Sequence, residues 1–122
     1  MSGWPERLLL VCCCLLPFSA LAETYPPLQP LIDATPEGAT LIPPPGTYAG
    51  PVVIERPVNL DGQGQVTIDS GGKGSVIILT TDGATVRNLR LTNSGESHND
   101  LDAGVQVRGR FNVVKDNVID NC

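Results

Sequence analysis

The sequence predicts an all-β chain wound as a right-handed parallel β-helix, a solenoid, preceded by a short capping helix. Three observations carry that reading. From Gly50 onward, short β-rich runs ("PVVIE", "PVNL", "QVTID", "SVIILT", "ATV", "LRLTN", "GVQVRG", "FNVV", "NVID") alternate with Gly, Asn and Asp, and no helix of useful length fits between them. Similar segments recur at a near-constant offset: Val58, Val86 and Val114 are 28 residues apart, which lays "ATVRNLRLTNS" over "NVVKDNVIDNC". Aromatic residues make up only 4% of the chain, as a narrow interior filled by β-branched side chains requires. An antiparallel sandwich would also show short strands, but it predicts neither a fixed offset nor the absence of two-residue Asn-Gly hairpin turns.

Residues 1–22 read as a secretory signal peptide. Arg7 precedes an apolar run from Leu8 to Leu16, and Ala20-Leu21-Ala22 gives the small-residue cleavage pattern. The run is too short to cross a bilayer as a mature helix. Cys12, Cys13 and Cys14 raise the idea of a lipid anchor, but a lipid-modified cysteine normally follows small residues and Val11 precedes these. Cleavage after Ala22 implies export to the periplasm and leaves Cys122 as the one mature cysteine, so no internal disulfide staples the domain.

Residues 23–48 read as an N-terminal cap segment. Pro26, Pro27 and Pro30 stiffen its start, and Leu28, Leu31 and Ile32 have helical spacing up to about Ala34, where Pro36 and Gly38 end the helix. Pro43, Pro44 and Pro45 forbid both a helix and a central strand and so make a rigid turn. Residues 49–122 read as the solenoid coils. The inward row comprises Val52, Ile54, Val58, Leu60, Val66, Ile68, Val76, Ile78, Val86, Leu89, Leu91, Val105, Val107, Val114 and Ile119. Gly, Asn and Asp supply the corners, where left-handed backbone is needed. The run "NVIDNC" stops within a renewed strand pattern, which reads as the N-terminal part of a longer solenoid, marginally stable and poorly cooperative alone.

The mature part holds twelve acidic against seven basic residues, once Glu6 and Arg7 leave with the signal. With no basic stripe, nucleic acid is excluded as a partner, and with no lysine-rich amphipathic helix the mature protein has no direct membrane insertion. "DGQGQ" and "DSGGKG" lead into strands rather than helix N-termini and read as turns, not phosphate loops.

The stretch "TNSGESHNDLDAGVQV" concentrates the candidate chemistry. It carries the chain's one histidine, His98, with Glu96, Asp100 and Asp102 at alternating positions. Imidazole and carboxylates form an intermediate-to-hard ligand set, so His98, Asp100 and Asp102 are the candidate metal ligands. The competing reading is a solvated corner loop whose aspartates accept backbone N–H bonds. Glu96, His98, Asp100 and Asp102 together then form a candidate docking loop, since loops that project from a regular solenoid carry binding residues. Asn88, Asn93, Asn117 and Asn121 fit stacked corner hydrogen bonds.

"PEGATLIPPPGTYAGPVVIERPVNLDGQG", "VTIDSGGKGSVIILTTDGATVRNLRLTNSG" and "DAGVQV" together resemble the start of the NosD family. The resemblance covers nearly all of residues 23–122. "PPGTYAGPVVI" and "DGATVRNLRL" are shared by many β-helix proteins and specify the fold alone; their combination with "DLDAGV" narrows the match. The resemblance implies a non-catalytic periplasmic accessory protein for copper-site assembly in nitrous oxide reductase. It implies copper as the ion handled and, as partners, the membrane and ATPase subunits of an ABC transporter, a copper chaperone lipoprotein and the reductase itself. Copper(I) prefers sulfur ligands, and the mature chain has no methionine and one cysteine. The alternative is a carbohydrate-active β-helix enzyme of the polysaccharide lyase or epimerase type, with Asp61, Asp69, Asp82, Asp100 and Asp102 meeting across coils beside Arg87, Arg90 and Arg108. The motifs associated with such enzymes are missing. A third reading is a structural or adhesive surface β-helix.

Overall fold

The computed structural model describes residues 25–96 and 102–122. One helical turn, α1 (Gln29–Asp33), is followed by nine strands: β1 (Thr40–Leu41), β2 (Gly46–Ala49), β3 (Val52–Ile54), β4 (Asn59–Asp69), β5 (Ile77–Leu79), β6 (Thr85–Thr92), β7 (Val105–Val107), β8 (Val113–Lys115) and β9 (Val118–Asp120). Every ladder between them is parallel. In one sheet β1 and β2 pair with β4, β4 with β6, and β6 with β8 and β9; the other runs β3-β5-β7. The chain alternates between the sheets, each pass laying its strands beside those of the pass before. The result is an all-β parallel fold with almost no helix.

Stacking in register builds the core as columns of like side chains. Ile54 pairs with Leu79 and Leu79 with Val107; Leu60 with Val86 and Val86 with Val114; Ile68 with Leu91 and Leu91 with Ile119. Val52, Ile54, Val58, Leu60, Ile68, Val76, Ile77, Leu79, Val86 and Leu91 are fully buried. Each such residue contributes roughly 1.5–3 kcal/mol through removal from water.

The structure corrects the sequence reading in four places. Val86 stacks on Leu60 rather than Val58, so the 28-residue offset holds only between the last two passes. In β5 the inward residues are Ile77 and Leu79, with Ile78 half-buried between them. Val76 and Ile77 are both buried, so the bend into β5 breaks strict alternation and shifts the inward set by one. Val107, Val114 and Ile119 are 48%, 39% and 47% exposed and Val105 is half-buried, because β7, β8 and β9 each pair along one edge alone among the described residues. The runs "PVNL" and "QVTID" form one 11-residue strand that bends at a register shift between Asp61 and Val66.

The first layer is closed by the helical turn. Leu28 and Ile32 plug the core, and the Gln29 side chain behaves as a strand residue would. Its Oε1 accepts from Val53 N–H at 2.7 Å and its Nε2 donates to Val53 C=O at 2.8 Å. The Arg56 guanidinium donates to the carbonyls of Thr35, Ile32 and Asp33 at the helix end, where Ile32 C=O also accepts from Thr35 N–H.

Candidate functional site

The two sheets are joined at corners of unequal regularity. On one side the connections from the three-stranded sheet to the larger one are residues 55–58, 80–84 and 108–112, of four, five and five residues. On the other side, the return connections are residues 50–51, 70–76 and 93–104, of two, seven and twelve residues. The extra residues therefore fall at one corner, where each connection is longer than the one before it.

This stepped corner encloses a groove of about 570 Å³. Ala49 and Gly50 form its floor, where the first connection is shortest. Asp69, Ser70, Gly71 and Lys73 make the wall, Asn93 the next layer, and Tyr25 a rim residue that is 40% exposed. The wall is held by its own hydrogen bonds. Asp69 accepts from Gly71 N–H at 2.8 Å and from Asn93 Nδ2 at 2.9 Å, and Ser70 Oγ donates to Lys73 C=O at 2.5 Å. Asn93 has φ of 60°, a left-handed conformation that Asn tolerates better than most residues, and its Oδ1 accepts from Asn121 of the following layer.

The stretch predicted to dock is described at its two stems. Its near stem is Ser94-Gly95-Glu96, where Gly95 N–H donates to Gly74 C=O at 2.8 Å. Its far stem begins at Asp102, and Ala103 N–H donates to Ser75 Oγ at 3.0 Å. A Cβ on Gly95 would collide with the Asp102 carboxylate, so glycine lets the two stems close on each other. Glu96 is exposed and Asp102 half-buried. His98 and Asp100 lie outside the described residues, as do residues 1–22, read above as a signal peptide, with Cys12, Cys13 and Cys14. Among the described residues no group of three or more His, Cys, Asp or Glu side chains is placed to hold a metal ion.

The other aspartates take structural posts at separate corners. Asp61 accepts from Asn88 Nδ2 and Gln63 N–H, each at 2.9 Å, and pairs with Arg87 at 3.3 Å. Those bonds, Asn88 first, hold its carboxyl below the ordinary carboxylate range against the opposing effect of burial. Asp82 accepts from Arg110 N–H. Asp120 pairs with Arg90 at 2.8 Å and is also held below its ordinary value, first by a bond with Thr92. Asp61, Asp69 and Asp82 thus serve three different corners. Of the asparagines, Asn88 and Asn93 bond an aspartate of the preceding layer and Asn121 bonds Asn93; Asn117 bonds Leu89 N–H and Val86 C=O.

Tyr25 and Lys73 were not among the residues that sequence reasoning selected, and Asp69 was named there only for the carbohydrate-active alternative. The signal that finds them is the growth of one connection from two to seven to twelve residues, readable once the strands are placed.

Over 62 residues the chain is 44% identical to a protein of Pseudomonas aeruginosa named "Probable ABC transporter binding protein NosD". The chain resembles NosD. The aligned stretch covers 51% of this chain and 14% of that relative, so the chain spans about one seventh of the length of the relative it matches. No protein-family model matches the chain, and no solved structure matches it. Among the described residues no helix is long and apolar enough to cross a membrane.

Proposed function

We propose that this chain is a NosD-like accessory protein, exported to the periplasm, that assists copper-site assembly in nitrous oxide reductase together with an ABC transporter. The observation that carries this reading is the 44% identity over 62 residues to a protein named for binding an ABC transporter. In this proposal residues 1–22 are a cleaved signal peptide, residues 23–48 cap the fold, and residues 49–122 wind the parallel layers as a right-handed β-helix. The protein contributes binding rather than catalysis. Its partners are the membrane and ATPase subunits of the transporter, a copper chaperone lipoprotein and the reductase. Copper is the cargo of the assembly, with His98, Asp100 and Asp102 the candidate ligands on this chain.

The deciding experiment measures copper in nitrous oxide reductase purified from a denitrifying host lacking this gene, against the same host carrying it. Copper-poor enzyme only in the deletion strain is expected. Fully loaded enzyme in both strains defeats the proposal, and assays on acidic polysaccharides would then follow.

A further inference from the structure

We propose that the corner between β7 and β8 is a docking point for a short acidic segment of a partner protein that also carries an apolar side chain. The inference uses the geometry of this corner alone and does not depend on the accessory-protein reading. It starts from a residue that stability does not explain. Phe111 is 84% exposed and has φ of 59°, the left-handed backbone that strains a bulky residue. Gly83 holds the same place one layer down, with φ of 79° and no side chain to strain. The pairs Leu79–Val107 and Thr85–Val113 flank both connections, so the equivalence is one of register. A ring that buries little surface and strains its own backbone adds nothing to the fold, and such residues cluster where ligands are held.

The exposure belongs to the position and not to the end of the stack. Thr80, Asp82 and Gly83, the counterparts of Arg108, Arg110 and Phe111, are exposed although a layer lies on either side of them. Hydrogen bonds to the layer below hold the corner. Arg108 N–H donates to Leu79 C=O at 2.8 Å, Arg110 N–H to Asp82 Oδ1 at 2.7 Å, and Gly83 N–H to Arg110 C=O at 3.0 Å. Asn112 fastens the end of the connection to Ala84 and Thr81, and a Cβ at Gly109 would collide with the Thr81 carbonyl. A partner thus meets a preformed surface, and little ordering entropy is lost on binding.

Charge then sets the sign. Arg108 and Arg110 are exposed, and neither guanidinium makes an ion pair among the described residues. Asp82, the carboxylate bonded to this connection, is engaged by its backbone. Two guanidinium groups beside an aromatic ring suit carboxylates, which accept paired N–H bonds, and an apolar side chain laid against the ring. Extended polyanions fit less well. Anionic membranes are held by clusters of about four to eight cations, and this connection offers only Arg108 and Arg110. Nucleic acid or a bilayer also reaches beyond the screening length of about 8 Å at physiological salt, and so meets the chain's net charge of -5. A short segment at the corner does not.

The test titrates the whole chain at about 0.15 M salt with two decapeptides and follows backbone amide signals. Each peptide holds two central leucines among alternating glycine and either glutamate or lysine. The glutamate peptide is expected to bind and to shift the amides of residues 108–113, and the lysine peptide is not. Phe111→Gly should weaken the complex about threefold to tenfold while leaving the urea midpoint no lower than that of the wild type. Arg110→Glu should weaken it about threefold to fivefold, and Lys73→Glu, the same change of charge at the other corner, should leave it within about 1.5-fold. Equal binding of the two peptides, no binding of the glutamate peptide, shifts confined to other residues, or equal weakening by Arg110→Glu and Lys73→Glu would each overturn the inference. So would a urea midpoint lowered by Phe111→Gly, which would make the ring structural. Phosphatidylglycerol vesicles that bind through Phe111 when the glutamate peptide does not would assign the corner to a membrane instead. Failure here leaves the copper-loading experiment untouched, and copper-replete reductase in the deletion strain leaves a positive peptide result standing.

Discussion

At the scale of single residues, the fold rests on a few side chains that do backbone work between layers. Asn112 accepts from Ala84 N–H and donates to Thr81 C=O, both at 2.8 Å, and Asn117 makes the equivalent pair of bonds to Leu89 and Val86. Corner backbone that no ladder reaches is satisfied this way. The apolar columns set the energetic scale. Leu91, fully buried between Ile68 and Ile119, should cost about 2–5 kcal/mol when replaced by Ala, read as a lower urea midpoint with unchanged slope. Asp61 supplies the pH dependence. Its native carboxyl titrates below its unfolded value, so its contribution is complete above the ordinary carboxylate pKa and is lost as pH falls through the native one. The stability advantage of the wild type over Asp61→Asn should therefore be largest near neutral pH and shrink in acid. An advantage that stays constant down to pH 3 would assign it to shape rather than charge.

At the scale of elements, the two-sheet alternation places every strand beside its counterpart from the previous pass, and the first pass needs a substitute for that neighbour. Gln29 supplies it by hydrogen-bonding both polar groups of Val53. Gln29→Ala leaves both without that partner and should cost about 1–3 kcal/mol in urea unfolding. The bend of β4 depends on close approach. A Cβ at Gly62 would lie 2.5 Å from Asn88 C=O and 2.5 Å from a Leu89 methyl, so Gly62→Ala should force the layers apart at a cost of about 1–3 kcal/mol. The helical spacing of Leu28, Leu31 and Ile32 and the turn character of Pro43–Pro45 could be read directly, because both follow from local chain stereochemistry. The choice of Ile77 over Ile78 could not: a three-residue apolar run has no internal phase, and only pairing with β3 fixes which face turns inward.

At the scale of the whole molecule, the two ends of the stack differ. The first layer carries α1 and a run of prolines without N–H groups, which blunt its edge. The last presents Val107, Val113, Val114, Val118 and Ile119 at 39–60% exposure, with Phe111 at 84%. For residues 23–122 alone, that apolar edge, paired along one side only among the described residues, favours association, so light scattering should rise with concentration, and Val118→Lys should suppress it. No loss of scattering in that variant would place the sticky surface elsewhere.

The amino-acid sequence determined the strand-and-corner rhythm, the parallel all-β class, the helical turn and the position of the inserted loop. Each follows from local preference or from repetition along the chain, which need no knowledge of neighbours. Tertiary structure alone decided which valines stack on which, since one residue of slip in a ladder exchanges buried and exposed faces. It alone placed Tyr25 in one groove with Lys73 and Asn93, which lie 48 and 68 positions further along the chain, because a groove exists only where connections of different length are laid over one another.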